Sequence, residues 1–95
     1  MKKLGFSIII PTLNEAKFIP RLLTDLSAQD MQDFEVLIVD GGSKDDTVSI
    51  AQTFEKKLPK LHILTSKKRN VSYQRNLGAG HARGANLIFF DADIQ

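Results

Sequence analysis

Ninety-five residues make one domain at most, able to bury roughly 60 to 70% of the unfolded surface in a modest core. Thirteen basic against eleven acidic residues leave a net charge of +2, too small to point to nucleic acid. The lack of cysteine excludes a disulfide framework or thiolate metal site, and no segment reaches the ~20 apolar residues of a membrane span.

In chain order, the short apolar run behind Lys2-Lys3 ends at Pro11 with no small-residue cleavage site, so it reads as a strand rather than a secretory leader. A cytosolic protein is the simplest expectation, and the sequon Asn70-Val71-Ser72 is then incidental. Phe6 to Ile10 reads as a buried strand closed by Pro11, which cannot donate to a ladder. Thr12-Leu13-Asn14-Glu15 is the loop at its carboxyl end. Ile19, Leu22, Leu23 and Leu26 then form one apolar helical stripe. Pro20 is tolerated only in a first turn, which predicts a helix starting near Ala16 to Phe18.

Phe34 to Val39 is the second predicted strand, with Asp40-Gly41-Gly42-Ser43 as its exit loop; paired glycines allow tight turns and close approach of a ligand. Ser43 is a suitable N-cap, with Asp45 and Asp46 in the first turn, where negative charge suits the dipole. Thr47, Ile50, Ala51, Phe54 and Leu58 give this helix an inner stripe, and Pro59 stops it. Leu61 to Leu64 is a short third strand. The basic loop Lys67-Lys68-Arg69-Asn70, read as solvated, leads to a helix over Ser72 to Arg83 with Gly84 as C-cap. Its interior glycines predict close packing on a sheet. Gly78-Ala79-Gly80-His81-Ala82-Arg83-Gly84 superficially imitates a dinucleotide fingerprint, but those glycines lie in and behind a helix rather than after a strand.

Asn86-Leu87-Ile88-Phe89-Phe90 is the fourth strand. Its unbroken apolar run predicts burial on both faces. It runs into Asp91-Ala92-Asp93. Strands alternating with helices predict an α/β fold with a parallel sheet and right-handed crossovers. Its carboxyl edge, where open α/β sheets bind ligands, then collects Thr12, Asn14 and Glu15, Asp40 with the diglycine, and Asp91 and Asp93. Acids at several strand ends suit a nucleotide with a divalent cation: carboxylates accept from base N–H or ribose hydroxyls and supply hard oxygen ligands. Arg75 offers a donor fork to a phosphate or base carbonyl.

Four motifs, Ile8-Ile9-Ile10-Pro11-Thr12-Leu13-Asn14-Glu15, Val39-Asp40-Gly41-Gly42-Ser43 with Asp45 and Thr47, Gln74-Arg75-Asn76 with Gly78, and Phe89-Phe90-Asp91-Ala92-Asp93, together resemble the amino-terminal half of a family 2 glycosyltransferase of the GT-A fold. The resemblance covers nearly the whole chain. It implies a Rossmann-like half-domain, a four-stranded parallel sheet in order 3-2-1-4 flanked by helices on both faces. It implies that Pro11, Asn14 and Glu15 line the base and ribose pocket, that Asp40 hydrogen-bonds the base, and that Arg75 encloses it. Asp91 would face the ribose, and Asp93 would ligate Mg²⁺ or Mn²⁺ bridging the diphosphate of a UDP- or GDP-type donor sugar. Gly41 departs from the pattern where many members carry a second aspartate. The acceptor half, which holds the base for inverting transfer, follows Asp-x-Asp in the family, so no catalytic base is expected in residues 1–95 and the piece is expected to bind nucleotide without turnover. A truncation there leaves the fourth strand's outer edge bare and predicts self-association, and a longer parent could sit at a membrane. A non-catalytic nucleotide-binding or assembly module is the alternative. A nucleotidyltransferase fits less well, because the first loop is not glycine-rich and basic.

Overall fold

A computed structural model describes residues 4–91. The elements in order are β1 (Phe6–Thr12), α1 (Ile19–Ser27), β2 (Phe34–Asp40), α2 (Thr47–Gln52), β3 (Leu61–Thr65), α3 (Val71–His81) and β4 (Asn86–Phe89). The sheet runs β3-β2-β1-β4 with every pair parallel. The order, the direction and the alternation of strand and helix agree with the sequence reading.

The central strands are apolar on both faces because both are covered. Ile8, Ile10, Val36 and Ile38 face α1 and α2, where they meet Ile19, Leu23, Ala51 and Leu58. Ile9, Leu37 and Val39 face the other way, against Leu77, Ala79 and Ala82 of α3 and its exit. Each fully buried Ile or Leu contributes about 1.5–3 kcal/mol, so this double-sided core carries most of the stability.

β1 runs on through Pro11 to Thr12, two residues beyond its expected end. Alternate residues in a strand turn their backbone groups to opposite neighbours. Ile9 O accepts from Phe90 N, so Pro11 lacks its N–H on that same side, past the last β1–β4 pair, Ile9 with Phe89. Thr12 O turns toward β2 and accepts from Gly41 N at 2.9 Å. The proline therefore costs the ladder nothing.

All three helices have boundaries that differ from expectation. α1 begins at Ile19, with Pro20 in its first turn, and residues 16–18 form a separate turn closed by Phe18 N and Ile19 N on Glu15 O. α2 is capped at Asp46 rather than Ser43 and ends at Gln52. Beyond it Thr53, Phe54 and Glu55 donate to carbonyls three residues back, so the chain continues as tight turns. The β-branched residues Thr47, Val48, Ile50 and Thr53 disfavour a longer helix, yet Ala51, Phe54 and Leu58 still reach the core. α3 is capped by Asn70, whose Oδ1 accepts from Tyr73 N at 2.9 Å, and its C-cap is Ala82.

Gly84 is not its cap. Gly84 N donates to Ser7 Oγ at 2.7 Å, and a Cβ there would stand 2.5 Å from the carbonyl carbon of Phe6. Gly78 bears out the close packing of α3, since a Cβ on it would lie 2.6 Å from Ile9 Cγ2; Gly80 faces open space.

β4 contradicts the expectation of burial on both faces. Among the described residues it pairs only with β1, and Leu87, Ile88, Phe89 and Phe90 are 40–45% exposed. α3 packs on β1 and β2, which leaves the side chains of β4 open. Apolar composition reported that these residues seek burial, not that the described residues supply the cover.

Glu35 went unnoticed in the sequence, hidden in the apolar run of β2. It is 1% exposed at the amino end of the sheet. Its carboxylate accepts from Ser7 Oγ at 2.6 Å and Arg83 N at 2.5 Å, and His62 Nε2 lies 3.5 Å away. With the Gly84–Ser7 bond, it fastens the turn between α3 and β4 to the first two strands.

Candidate functional site

Parallel strands deliver their carboxyl ends to one rim, and the registers show which residues meet there. Thr12 stands opposite Asp40, and Asp40 opposite Thr65. Asp91 lies two residues beyond the end of β4. Between these ends lies a cavity of about 320 Å³, lined by Pro11, Thr12, Leu13 and Glu15 from β1 and its loop, by Arg69, Val71 and Gln74 from the β3 exit and α3, and by Asp91. An apolar hollow of about 270 Å³ at the amino end of β2, between Phe34, Val36 and Leu58, carries no carboxylate and offers no comparable chemistry.

Asp40 is the buried anchor of this rim, 3% exposed. Its Oδ1 accepts from Thr12 Oγ1 at 2.8 Å and Ser43 Oγ at 2.5 Å, and its Oδ2 from Gly42 N at 3.0 Å and Ser43 N at 2.8 Å. A carboxylate has about four lone-pair sites, so these donors occupy it and fold the diglycine loop over it. Gly42, at φ 96°, needs the left-handed freedom that this turn demands.

Asn14 ties the first loop to the second. It is left-handed at φ 55°, a conformation Asn tolerates unusually well. Its N donates to Ser43 Oγ at 2.8 Å, and its Oδ1 accepts from Lys44 N at 2.8 Å. Glu15 N donates to Thr47 Oγ1 at 2.8 Å and Ala16 N to Asp45 Oδ2 at 3.2 Å. Thr47 in turn donates to Asp45 through its hydroxyl and its amide. The hydroxyl bond is the main reason the Asp45 carboxyl titrates below its ordinary range.

At the β4 end, Arg75 Nη2 lies 3.5 Å from Asp91 Oδ2, and its guanidinium sits 5.8 Å from the centre of the Phe89 ring. Arg75 Nε is occluded, without a hydrogen-bond partner among the described residues. Of the sequence-predicted residues, the cavity thus joins Pro11, Glu15 and Asp91; Arg75 reaches Asp91; and Asn14 and Asp40 support the loops. Asp93 lies outside the described residues. Among those described, no group of three or more His, Asp or Glu is placed to hold a metal ion.

Arg69 and Gln74 were not singled out for the site. Arg69 had a positional signal, as it follows the third strand at the same edge as the acids. Gln74 stands in the motif Gln74-Arg75-Asn76 with Gly78, which assigns it no role of its own, and its spacing of four from Gly78 puts both on the sheet-facing side of α3.

The family model for glycosyl transferase family 2 matches residues 7–95. The chain belongs to that family. It is 43% identical over 89 residues to a PGL/p-HBAD biosynthesis glycosyltransferase of Mycobacterium bovis, covering 93% of this chain and 35% of the relative. It superposes on S. aureus TarS 1-349 in complex with UDP with a TM-score of 0.85 at 35% identity, over 94% of this chain and 27% of that one. A mannosyltransferase from Pyrobaculum calidifontis, in complex with GDP-Man and Mn²⁺, matches with a TM-score of 0.85 at 28% identity, over 98% of this chain and 28% of that one. The chain therefore spans about a third or less of these relatives. These likenesses agree with the GT-A, Rossmann-like reading. No helix among the described residues is long and apolar enough to cross a membrane.

Proposed function

We propose that residues 1–95 form the donor-binding part of a glycosyltransferase that transfers a sugar from a nucleoside diphosphate. One observation carries the reading: the cavity lined by Pro11, Glu15, Arg69 and Asp91 lies at the carboxyl edge of the sheet, in a family 2 chain. Relatives of the same fold bind UDP and GDP-Man.

In this reading Pro11 and Glu15 line the base and ribose pocket, and Asn14 and Asp40 hold its loops in place. Arg75 and Asp91 close it beside β4. Asp93 is the proposed ligand of Mg²⁺ or Mn²⁺. Asp91 supplies a hard carboxylate oxygen at this rim, the donor type those cations prefer, and the Mn²⁺ bound in the Pyrobaculum enzyme supports the choice. Bound there, the cation would stabilise charge on the departing nucleoside diphosphate. No catalytic base is assigned within these residues. We place the protein on the cytosolic side of the cell, and propose that the bare edge of β4 pairs with a second copy.

Titration calorimetry with UDP or GDP and Mn²⁺ tests the reading. Binding that needs the metal and disappears in Asp93→Ala is expected. Absence of binding to both nucleotides, or equal heat from Asp93→Ala, overturns it. A non-catalytic nucleotide-binding module would share the binding and lack sugar transfer in the full-length protein.

A further inference from the structure

We propose a cation site at the amino end of the sheet, in which Glu35 Oε1 and His62 Nε2 chelate Zn²⁺. It lies at the opposite edge from the donor pocket and stands independently of it.

Glu35 is 1% exposed, and its two oxygens are used unequally. Oε2 accepts from Ser7 Oγ and Arg83 N, which fixes the carboxylate in place. Oε1 has no hydrogen bond among the described residues. Nor is it fully occluded, because Arg75 Nε is the sole occluded side-chain atom without a partner among those residues. Oε1 is the oxygen turned toward His62, and both residues line a cavity of about 170 Å³ with Leu37, Leu64, His81 and Arg83. A buried carboxylate left half-satisfied is costly, and a cation beside it removes that cost.

The strands set the pair up. His62 of β3 stands in register with Leu37, two residues on from Glu35. Strand alternation therefore places Glu35, Leu37 and His62 on one face of the sheet, the face that carries α3.

The spacing favours a metal over a direct bond. His62 Nε2 lies 3.5 Å from Glu35 Oε1, beyond the ~2.7–3.2 Å of a good N–H···O bond. Nitrogen and oxygen ligands of Zn²⁺, each about 2.0–2.2 Å from the ion, stand about 3.4 Å apart at the tetrahedral angle. Ser7 and the Arg83 amide supply the outer hydrogen bonds that orient a ligating carboxylate. An imidazole beside a carboxylate suits zinc, whereas Mg²⁺ and Mn²⁺ favour oxygen alone. The His62 side chain is 52% exposed, which leaves the ion a way in. No group of three protein ligands is in place among the described residues, so water completes the coordination and the ion exchanges readily. Arg83 also lines the cavity, but its side chain is exposed and its charge is screened.

Calorimetry of the full chain with Zn²⁺ alone, in a buffer that does not bind metal, tests the site. Wild type should bind Zn²⁺, and the ion should raise the urea midpoint. His62→Ala should weaken binding about tenfold or more while leaving the zinc-free midpoint in place. Glu35→Gln keeps an oxygen for Ser7 and Arg83 and should weaken binding likewise; should it fail to fold, His62→Ala decides alone. Asp93→Ala should bind Zn²⁺ as wild type does. Absence of Zn²⁺ binding overturns the proposal. So does wild-type affinity in His62→Ala, which would mark an adventitious ion only, or zinc held at the donor rim where Asp93→Ala abolishes it. Each of these results leaves the donor-site reading intact, since nucleotide binding with Mn²⁺ is measured separately.

Discussion

Thr12 and Asp40 end neighbouring strands in register, and the Thr12 hydroxyl donates to Asp40 Oδ1 at 2.8 Å with both side chains buried. This bond turns the end of the sheet into a fixed floor, since the other lone pairs of Asp40 hold the loop at Gly42 and Ser43. Thr12→Val removes the donor at nearly constant volume and should cost about 1–2 kcal/mol in urea unfolding. Asp40→Ala should cost more, about 2–3 kcal/mol, because it strands the amides of Gly42 and Ser43 as well. Loss of nucleotide binding should exceed loss of stability in Thr12→Val, since the loop is displaced while the core is not. A variant of wild-type stability would show that the bond is incidental.

The two interior glycines of α3 have opposite surroundings, and alanine at each should have opposite effects. A methyl on Gly78 would press on Ile9 Cγ2 at 2.6 Å and Val39 Cγ2 at 3.1 Å, both in the core. Gly78→Ala should therefore lose about 1–3 kcal/mol, as overpacked cores do. Nothing lies within 4 Å of a Cβ at Gly80. Gly80→Ala should gain about 0.4–1 kcal/mol from reduced unfolded-state entropy and better helix propensity. Thermal or urea midpoints moving in the same direction for both would contradict this placement of α3.

Much of this architecture was legible in the residues. Unbroken apolar runs at Ile8–Ile10 and Val36–Val39 mark strands covered on both faces, and apolar stripes mark the helices between them. The carboxyl-edge cluster followed from that alternation alone. Other features depend on contacts far apart in sequence. The burial of Glu35 is decided by Ser7 and by Arg83, 48 residues away. The same apolarity that hides Ile9 leaves Phe89 exposed, because one lies at the sheet's centre and the other at its edge. Ser43 has the chemistry of a cap, but Asp40 and Asn14 engage its hydroxyl first.

Arg75 and Asp91 offer a way to separate binding from stability. Their side chains are 42% and 34% exposed and 3.5 Å apart, and such pairs add less than about 1 kcal/mol to folding. Arg75→Ala and Asp91→Ala should each leave the unfolding midpoint nearly unchanged. If Arg75 encloses a nucleotide, the first should weaken UDP or GDP binding about tenfold or more, as loss of a charge-assisted bond does. Unaltered affinity in both variants would remove this pair from the proposed site.

Asp45 predicts a small acid-side effect with a definite sign. Hydrogen bonds from Thr47 favour its charged form and depress its pKa in the folded state. The stabilisation is present above the unfolded carboxyl value of about 3.9 and is lost as pH falls through the lower folded value. Asp45→Asn should therefore be less stable than wild type at neutral pH, with the difference narrowing under acid. A gap in urea midpoints that is constant with pH would assign the effect to geometry rather than charge.

The outer edge of β4 should bring chains together unless something covers it. The strand pairs with β1 on one side, and Leu87, Ile88 and Phe89 are 40–45% exposed. An apolar edge with open backbone donors and acceptors is a template for another strand. Leu87→Lys puts a charge on that surface without touching either core cluster, so stability should change by no more than about 0.5 kcal/mol. Light scattering over rising concentration should show wild-type association and a monomeric variant. A monomeric wild type at high concentration would rule out edge pairing, whereas equal association in both proteins would place the contact elsewhere on the surface.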